Sequence, residues 1–276
     1  MSIKTLLVSA SDDPGRDARL NLACDLATAF DAHILGVGAS ALVPLPIDPY
    51  GVDVMSGDLQ QLYMDMAQTD LRDSKARFDA VVGARTNNTS WLEAIDYPAD
   101  VVNTAARAAD LVLVPLHGAG APSRAPKAVE VVTGSGRPVL VVPNAPFAPP
   151  LERMALIAWN ESRESRLAAA AALPLLKKAS AVQVVSVCET PDLARVQIGL
   201  GDVVAWLARH KVKATTATIV RDELPTARRL LDHAAPLDAG LIVAGAYGHA
   251  RLTEWVMGGV TRTLLADSHI CLLTAH

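Results

Sequence analysis

The chain repeats itself at about half its length, and no other feature restricts its possible folds so strongly. Leu6-Leu-Val-Ser-Ala10, a helical segment Asp17 to Phe30 and His33-Ile-Leu-Gly-Val-Gly38 match Ala155-Leu-Ile-Ala-Trp159, Glu164 to Ala179 and Ala181 to Val187. Arg19-Leu20 and Arg166-Leu167 fall at the same place in the first helix of each half. Later, Asp110-Leu-Val-Leu-Val114 answers Gly240-Leu-Ile-Val-Ala244, and Pro138 to Val142 answers His269 to Leu273. A repeat this long means duplicated domains rather than a solenoid. Each half alternates short apolar runs with amphipathic segments, which predicts strands buried on both faces of a parallel sheet and helices above and below it. In the second half, Ala214 to Val220 is the predicted third strand and Leu224 to Ala235 its helix.

Pro143-Asn-Ala-Pro-Phe-Ala-Pro-Pro150 precludes a helix and reads as an extended connector. The expected organisation is a domain at 1–143, a linker at 144–150 and a domain at 151–276. The Pro- and Gly-containing stretch Ser40 to Gly57 has no counterpart in the second half, and reads as a packing or dimerisation loop or a lid.

Composition narrows the function. A hydrophobic content of 51% with only 4% aromatic residues builds the core from Ala, Val and Leu, which suits α/β packing. A net charge of -4 lacks the basic footprint for nucleic acid or an anionic membrane. Cys24, Cys188 and Cys271 are far apart within apolar runs and read as reduced, buried thiols. The N-terminus enters a strand pattern without a signal-type segment, and no run approaches a membrane span, so a cytoplasmic protein is expected.

The chemistry-bearing pattern lies near the C-terminus. Leu241-Ile-Val-Ala244 leads into Gly245-Ala-Tyr-Gly248, and nine residues separate Gly248 from Gly258. Glycines after a parallel strand let backbone amides approach an anion, and helix starts there carry unpaired N–H groups. Gly258-Gly259 interrupts the helical spacing of Leu252 to Leu265, so a new helix start is predicted near Val260-Thr261. The alternative for these glycines is tight strand-to-helix packing. His249 and Arg251 sit between them, within reach of a phosphate or as a solvated helix start with Glu254.

Enzyme motifs are missing. There is no G-x-x-x-x-G-K-[S/T], no G-x-S-x-G and no H-x-x-x-H or paired Cys spacing, so no catalytic or metal-binding residue is assigned.

The segment Gly245 to Arg262, with the strand before it and Ile270-Cys-Leu-Leu after it, resembles the C-terminal signature of the universal stress protein family. The resemblance extends over the chain as two tandem domains. It implies two Rossmann-like, adenine nucleotide alpha hydrolase-like domains, each a five-stranded parallel sheet with helices on both faces. It further implies ATP or AMP bound in the C-terminal domain by Gly245, Gly248, His249, Arg251, Gly258, Gly259, Val260 and Thr261. Asn160 and Val187 would flank the adenosine, and Mg²⁺ would enter only with ATP.

Two positions depart from the pattern: Gly259 stands where nucleotide binders carry Ser or Thr, and Asn160 where they carry Asp. In the first half Pro115 replaces the first glycine, only Gly118 keeps its place, and Ser11 takes the Asn160 position, so that half is expected to be degenerate. Gly134-Ser-Gly136 there reads as a helix C-cap. Two functions stand: a stress-response protein switched by ATP or AMP, hydrolysing ATP slowly at most, and a stress-response scaffold acting without nucleotide through dimerisation or regulatory protein partners. In the family, pairing commonly runs through the last strands, here Pro138 to Val142 and His269 to Leu273, which would otherwise be open sheet edges.

Overall fold

The computed structural model describes residues 2–42, 57–116, 125–144, 146–246 and 259–276, with the side chains of 57, 58 and 267 outside the description. The first half runs β1 (Thr5–Ser9), α1 (Arg16–Phe30), β2 (His33–Ala39), α2 (Gly57–Phe78), β3 (Thr89–Ala94), α3 (Pro98–Ala105), β4 (Leu111–Pro115), α4 (Ala128–Gly134) and β5 (Val139–Val142). The second runs β6 (Met154–Ala158), α5 (Arg163–Leu176), β7 (Ala181–Cys188), α6 (Leu193–Arg209), β8 (Ala214–Val220), α7 (Thr226–Ala234), β9 (Ala239–Gly245), α8 (Gly259–Asp267) and β10 (Cys271–Ala275). The last strand thus begins two residues beyond the predicted His269, because Ser268 caps the turn before it, donating to the Ile270 carbonyl at 2.7 Å and accepting from the Ile270 amide.

All ten strands form one sheet in the order β3-β2-β1-β4-β5-β10-β9-β6-β7-β8. Pairing is parallel everywhere except between β5 and β10, where Leu272 faces Val141 and Leu273 faces Leu140 in an antiparallel ladder. The two last strands therefore cover each other's edges.

Alternation along the central strands sends successive side chains to opposite faces. Leu6, Leu140, Ile157 and Leu273 pack with α1, α5 and α6 in one core. Leu7, Val141, Leu156 and Leu272 pack with α3, α4, α7 and α8 in the other. The first helices of both halves share one face while the seam strands run opposite ways. Such an arrangement is a pseudo-twofold about an axis normal to the sheet, and both cores continue across it.

One expected correspondence is corrected. Leu20 is completely buried whereas Leu167 is 38% exposed, so the Arg-Leu dipeptides are not equivalent. Strand register sets Leu6 against Ala155, through their shared pairing with Leu111 and Leu241. Continued into the helices, that alignment places Ala168 opposite Arg19 and Ala169 opposite Leu20, all four buried. Chance identity of two residues misled the sequence comparison by half a helical turn.

Gly136 closes α4 with φ +61°, the left-handed conformation expected of a C-cap glycine. Of the Ser40 to Gly57 stretch, residues 43–56 lie outside the description; Ser40 itself is buried and donates to Asp70 at 3.2 Å.

Candidate functional site

In the second half, β6 and β9 are neighbours, but the chain leaves β6 toward α5 on one face and β9 toward α8 on the other. This is the topological switch point of a doubly wound sheet, where a crevice opens beyond the strand ends. Asn160 and Gly245 stand at it. Gly248, His249, Arg251 and Gly258 lie outside the described residues.

Asn160 follows β6 and is exposed; its Oδ1 accepts from the Ser162 amide at 3.3 Å, an Asx turn that starts α5. Ser162 then caps the helix by accepting from the Ser165 amide at 3.1 Å. Val187 is two strands from β9, half-buried, and paired with Ile219 of β8. At Gly245 an added Cβ would lie 2.5 Å from the Ser165 amide nitrogen and 2.6 Å from the Glu164 carbonyl carbon. The packing alternative thus holds at Gly245, where the end of β9 and the first turn of α5 need that close approach.

The described part of α8 begins at Gly259, and the residues before it lie outside the description. A Cβ at Gly259 would meet nothing within 4 Å among the described residues, and Val260 is 37% exposed. Thr261 is buried and its hydroxyl is directed at the Gly245 carbonyl, 3.4 Å away. In this arrangement the Thr261 hydroxyl faces protein backbone.

The matching place in the first half is built differently. Ser11, the counterpart of Asn160, is buried and shares a 2.9 Å hydrogen bond with Ser9. Arg19 is fully buried and donates to the Ser9 carbonyl at 2.9 Å and to both Asp13 oxygens at 3.0 and 2.6 Å. Asn144 donates to the Leu116 carbonyl at 2.7 Å, and its Oδ1 is 2.8 Å from where a Gly15 Cβ would stand. The connector's first residues thereby bridge the end of β4 and the start of α1. Neither the buried Arg19 nor this bridge was foreseen from sequence; a sole arginine among the inward positions of α1 was the available signal.

Trp159 lies between the core and the surface. It is 8% exposed within the first core, yet it also borders an open groove of about 430 Å³ between α5 and α6. The three cysteines are buried, and burial pushes the Cys24 and Cys271 thiols upward from their ordinary range. Among the described residues there is no acidic, His or Cys cluster arranged for a metal and no helix long and apolar enough to cross a membrane.

No family model and no curated protein matches the sequence. Solved structures do match in fold. A universal stress protein from Archaeoglobus fulgidus DSM 4304 is similar at a TM-score of 0.74 and 13% identity, over 98% of this chain and 97% of that one. A functionally unknown protein from Pseudomonas aeruginosa PAO1 is similar at 0.58 and 16% identity, over 98% and 92%. Architecturally, the chain is a doubly wound α/β protein with two fused five-stranded halves. More particularly, it has the fold of the tandem universal stress proteins.

Proposed function

We propose that this chain is a stress-response protein that binds an adenine nucleotide, ATP or AMP, at the switch point of its second half and uses occupancy as a regulatory switch. The observation that carries this reading is the asymmetry between the switch points. Asn160, Gly259 and Val260 are exposed in the second half, whereas Ser11 and Arg19 are buried in the first. The likeness in fold to a universal stress protein over nearly the whole chain supports the same reading.

On this proposal residues 1–143 form a supporting domain, 144–150 the linker and 151–276 the binding domain. Asn160 and Val187 flank the adenosine, Gly245 shapes the strand end, and Gly248, His249, Arg251, Gly258, Gly259, Val260 and Thr261 approach the phosphates. Mg²⁺ would accompany ATP alone. The residues assigned to this site include no carboxylate to hold Mg²⁺ beside the phosphates, so hydrolysis is slow at most. The protein is placed in the cytoplasm, with a homodimer or regulatory protein as further partner.

The engaged Thr261 hydroxyl and Asn160 carbonyl favour the second reading, a scaffold that works without nucleotide. Calorimetric titration with ATP and AMP separates them. Binding that Gly248→Val abolishes supports the first; no heat at millimolar nucleotide removes it.

A further inference from the structure

The groove beside Trp159 is assembled from three separate pieces of chain. Trp159 and Glu161 come from the end of β6. Arg166 contributes from α5, and Gly199, Asp202 and Trp206 form one stripe of α6 at helical spacing. Glu161 has φ +60°, a left-handed backbone that costs a non-glycine residue free energy and needs local support. That support is visible: Glu161 accepts a hydrogen bond from the Trp159 indole at 2.9 Å, and its Oε1 is 2.5 Å from where a Gly199 Cβ would stand. Gly199 thus clears the place that Glu161 fills. The Trp206 ring is fixed in turn by an edge contact to His210, with centroids 4.9 Å apart.

The corresponding position in the first half also has a cleft, about 410 Å³, but Asp12, Arg16, Asp70 and Arg77 line it and no aromatic residue does. Ala10 stands there where the second half has Trp159. The indoles are therefore specific to one half of the duplicated fold and are not required by its architecture.

We propose that this groove is a binding site for a small, flat organic cation, an aromatic amine, separate from the nucleotide crevice. Both indoles line the groove, Trp159 with only 8% of its surface exposed and Trp206 half-buried, and their aromatic surface favours a flat, positively charged ring. Glu161 lies 3.7 Å from Arg166, which balances its charge, while Asp202 has no partner among the described residues. The remaining carboxylate selects an ammonium and disfavours an anion. Trp159 projects to the α5 face, where it joins the first core, and so turns the groove away from the α8 side of the crevice.

The test is calorimetry of the full chain with tryptamine, neutral indole-3-ethanol and anionic indole-3-acetate. Tryptamine should bind about tenfold more tightly than the alcohol, and the acid not measurably, as expected for one partly exposed charge contact added to stacking. Asp202→Asn should reduce tryptamine to the affinity of the alcohol, and Gly199→Leu should remove binding of both. Saturating ATP should leave the tryptamine affinity unchanged, whether or not ATP itself binds. Equal affinities for the three probes, no binding of any, an unaltered Asp202→Asn variant or competition by ATP would each overturn the proposal.

Discussion

The Arg19 guanidinium holds the Asp13 carboxylate through two hydrogen bonds, with both side chains almost completely removed from solvent. Removing one member leaves the other buried and uncompensated, so Asp13→Ala should cost about 3–5 kcal/mol, far more than an exposed pair. Adding Arg19→Met to it should recover much of that loss, since the counterpart Ala168 shows that an uncharged residue suits this layer. Urea denaturation of both variants gives the comparison; a double variant no more stable than Asp13→Ala would contradict it.

The two glycines of the signature within the described residues should respond oppositely. Gly245→Ala drives a methyl into the backbone of α5 and should destabilise by about 1–3 kcal/mol. Gly259→Ser meets no neighbour among the described residues and should leave stability unchanged or slightly raised. Under the nucleotide reading it also adds a phosphate-facing hydroxyl, and calorimetry should show tighter ATP binding by the roughly 0.5–1.5 kcal/mol of one hydrogen bond.

Thr274 lies in the seam strand, completely buried, with a hydroxyl that finds no hydrogen-bond partner among the described residues. Thr274→Val keeps the shape and removes the unpaired oxygen, so a gain of about 1 kcal/mol is expected in thermal or denaturant unfolding. A loss of stability would mean that the hydroxyl is satisfied after all.

Asp17 ties α1 to the end of α2 by accepting from Arg77, with Nε 2.7 Å away, and that hydrogen bond holds its carboxyl below the ordinary value of 3.8. Because the folded pKa is depressed, the pair's contribution is present above the unfolded value and disappears as pH falls through the folded one. Both partners are substantially exposed, which limits the effect to about 0.2–1 kcal/mol. Asp17→Asn should therefore be slightly less stable than the parent at neutral pH and match it in strong acid.

Thiol accessibility offers a separate check of the core that holds Trp159. All three cysteines are buried, and Cys24 and Cys271 are held in the protonated form by burial. A thiol reagent should react slowly with the native protein and rapidly with three groups after denaturation.

The fold was legible where burial on both faces writes an uninterrupted apolar run. Leu111 to Val114 and Leu241 to Ala244 announce central parallel strands without ambiguity, and their repetition announces the duplication. Helix register was less legible, since Arg19-Leu20 and Arg166-Leu167 are identical in type but differ in burial; an inward arginine balanced by Asp13 breaks the rule that charge faces water. The glycine signature showed where the switch point lies but not what each glycine does, because Gly245 answers to α5, a segment remote in sequence. The groove was invisible for a similar reason: Trp159 and Trp206 are brought together only by the path of α6, and the backbone conformation of Glu161 leaves no sequence trace.

Because β5 and β10 knit two continuous cores into one body, the proline-rich connector has little mechanical work to do. Proteolytic nicking within 146–149 should leave the two fragments associated and melting together, with the connector's main effect being the high local concentration of one fragment at the other.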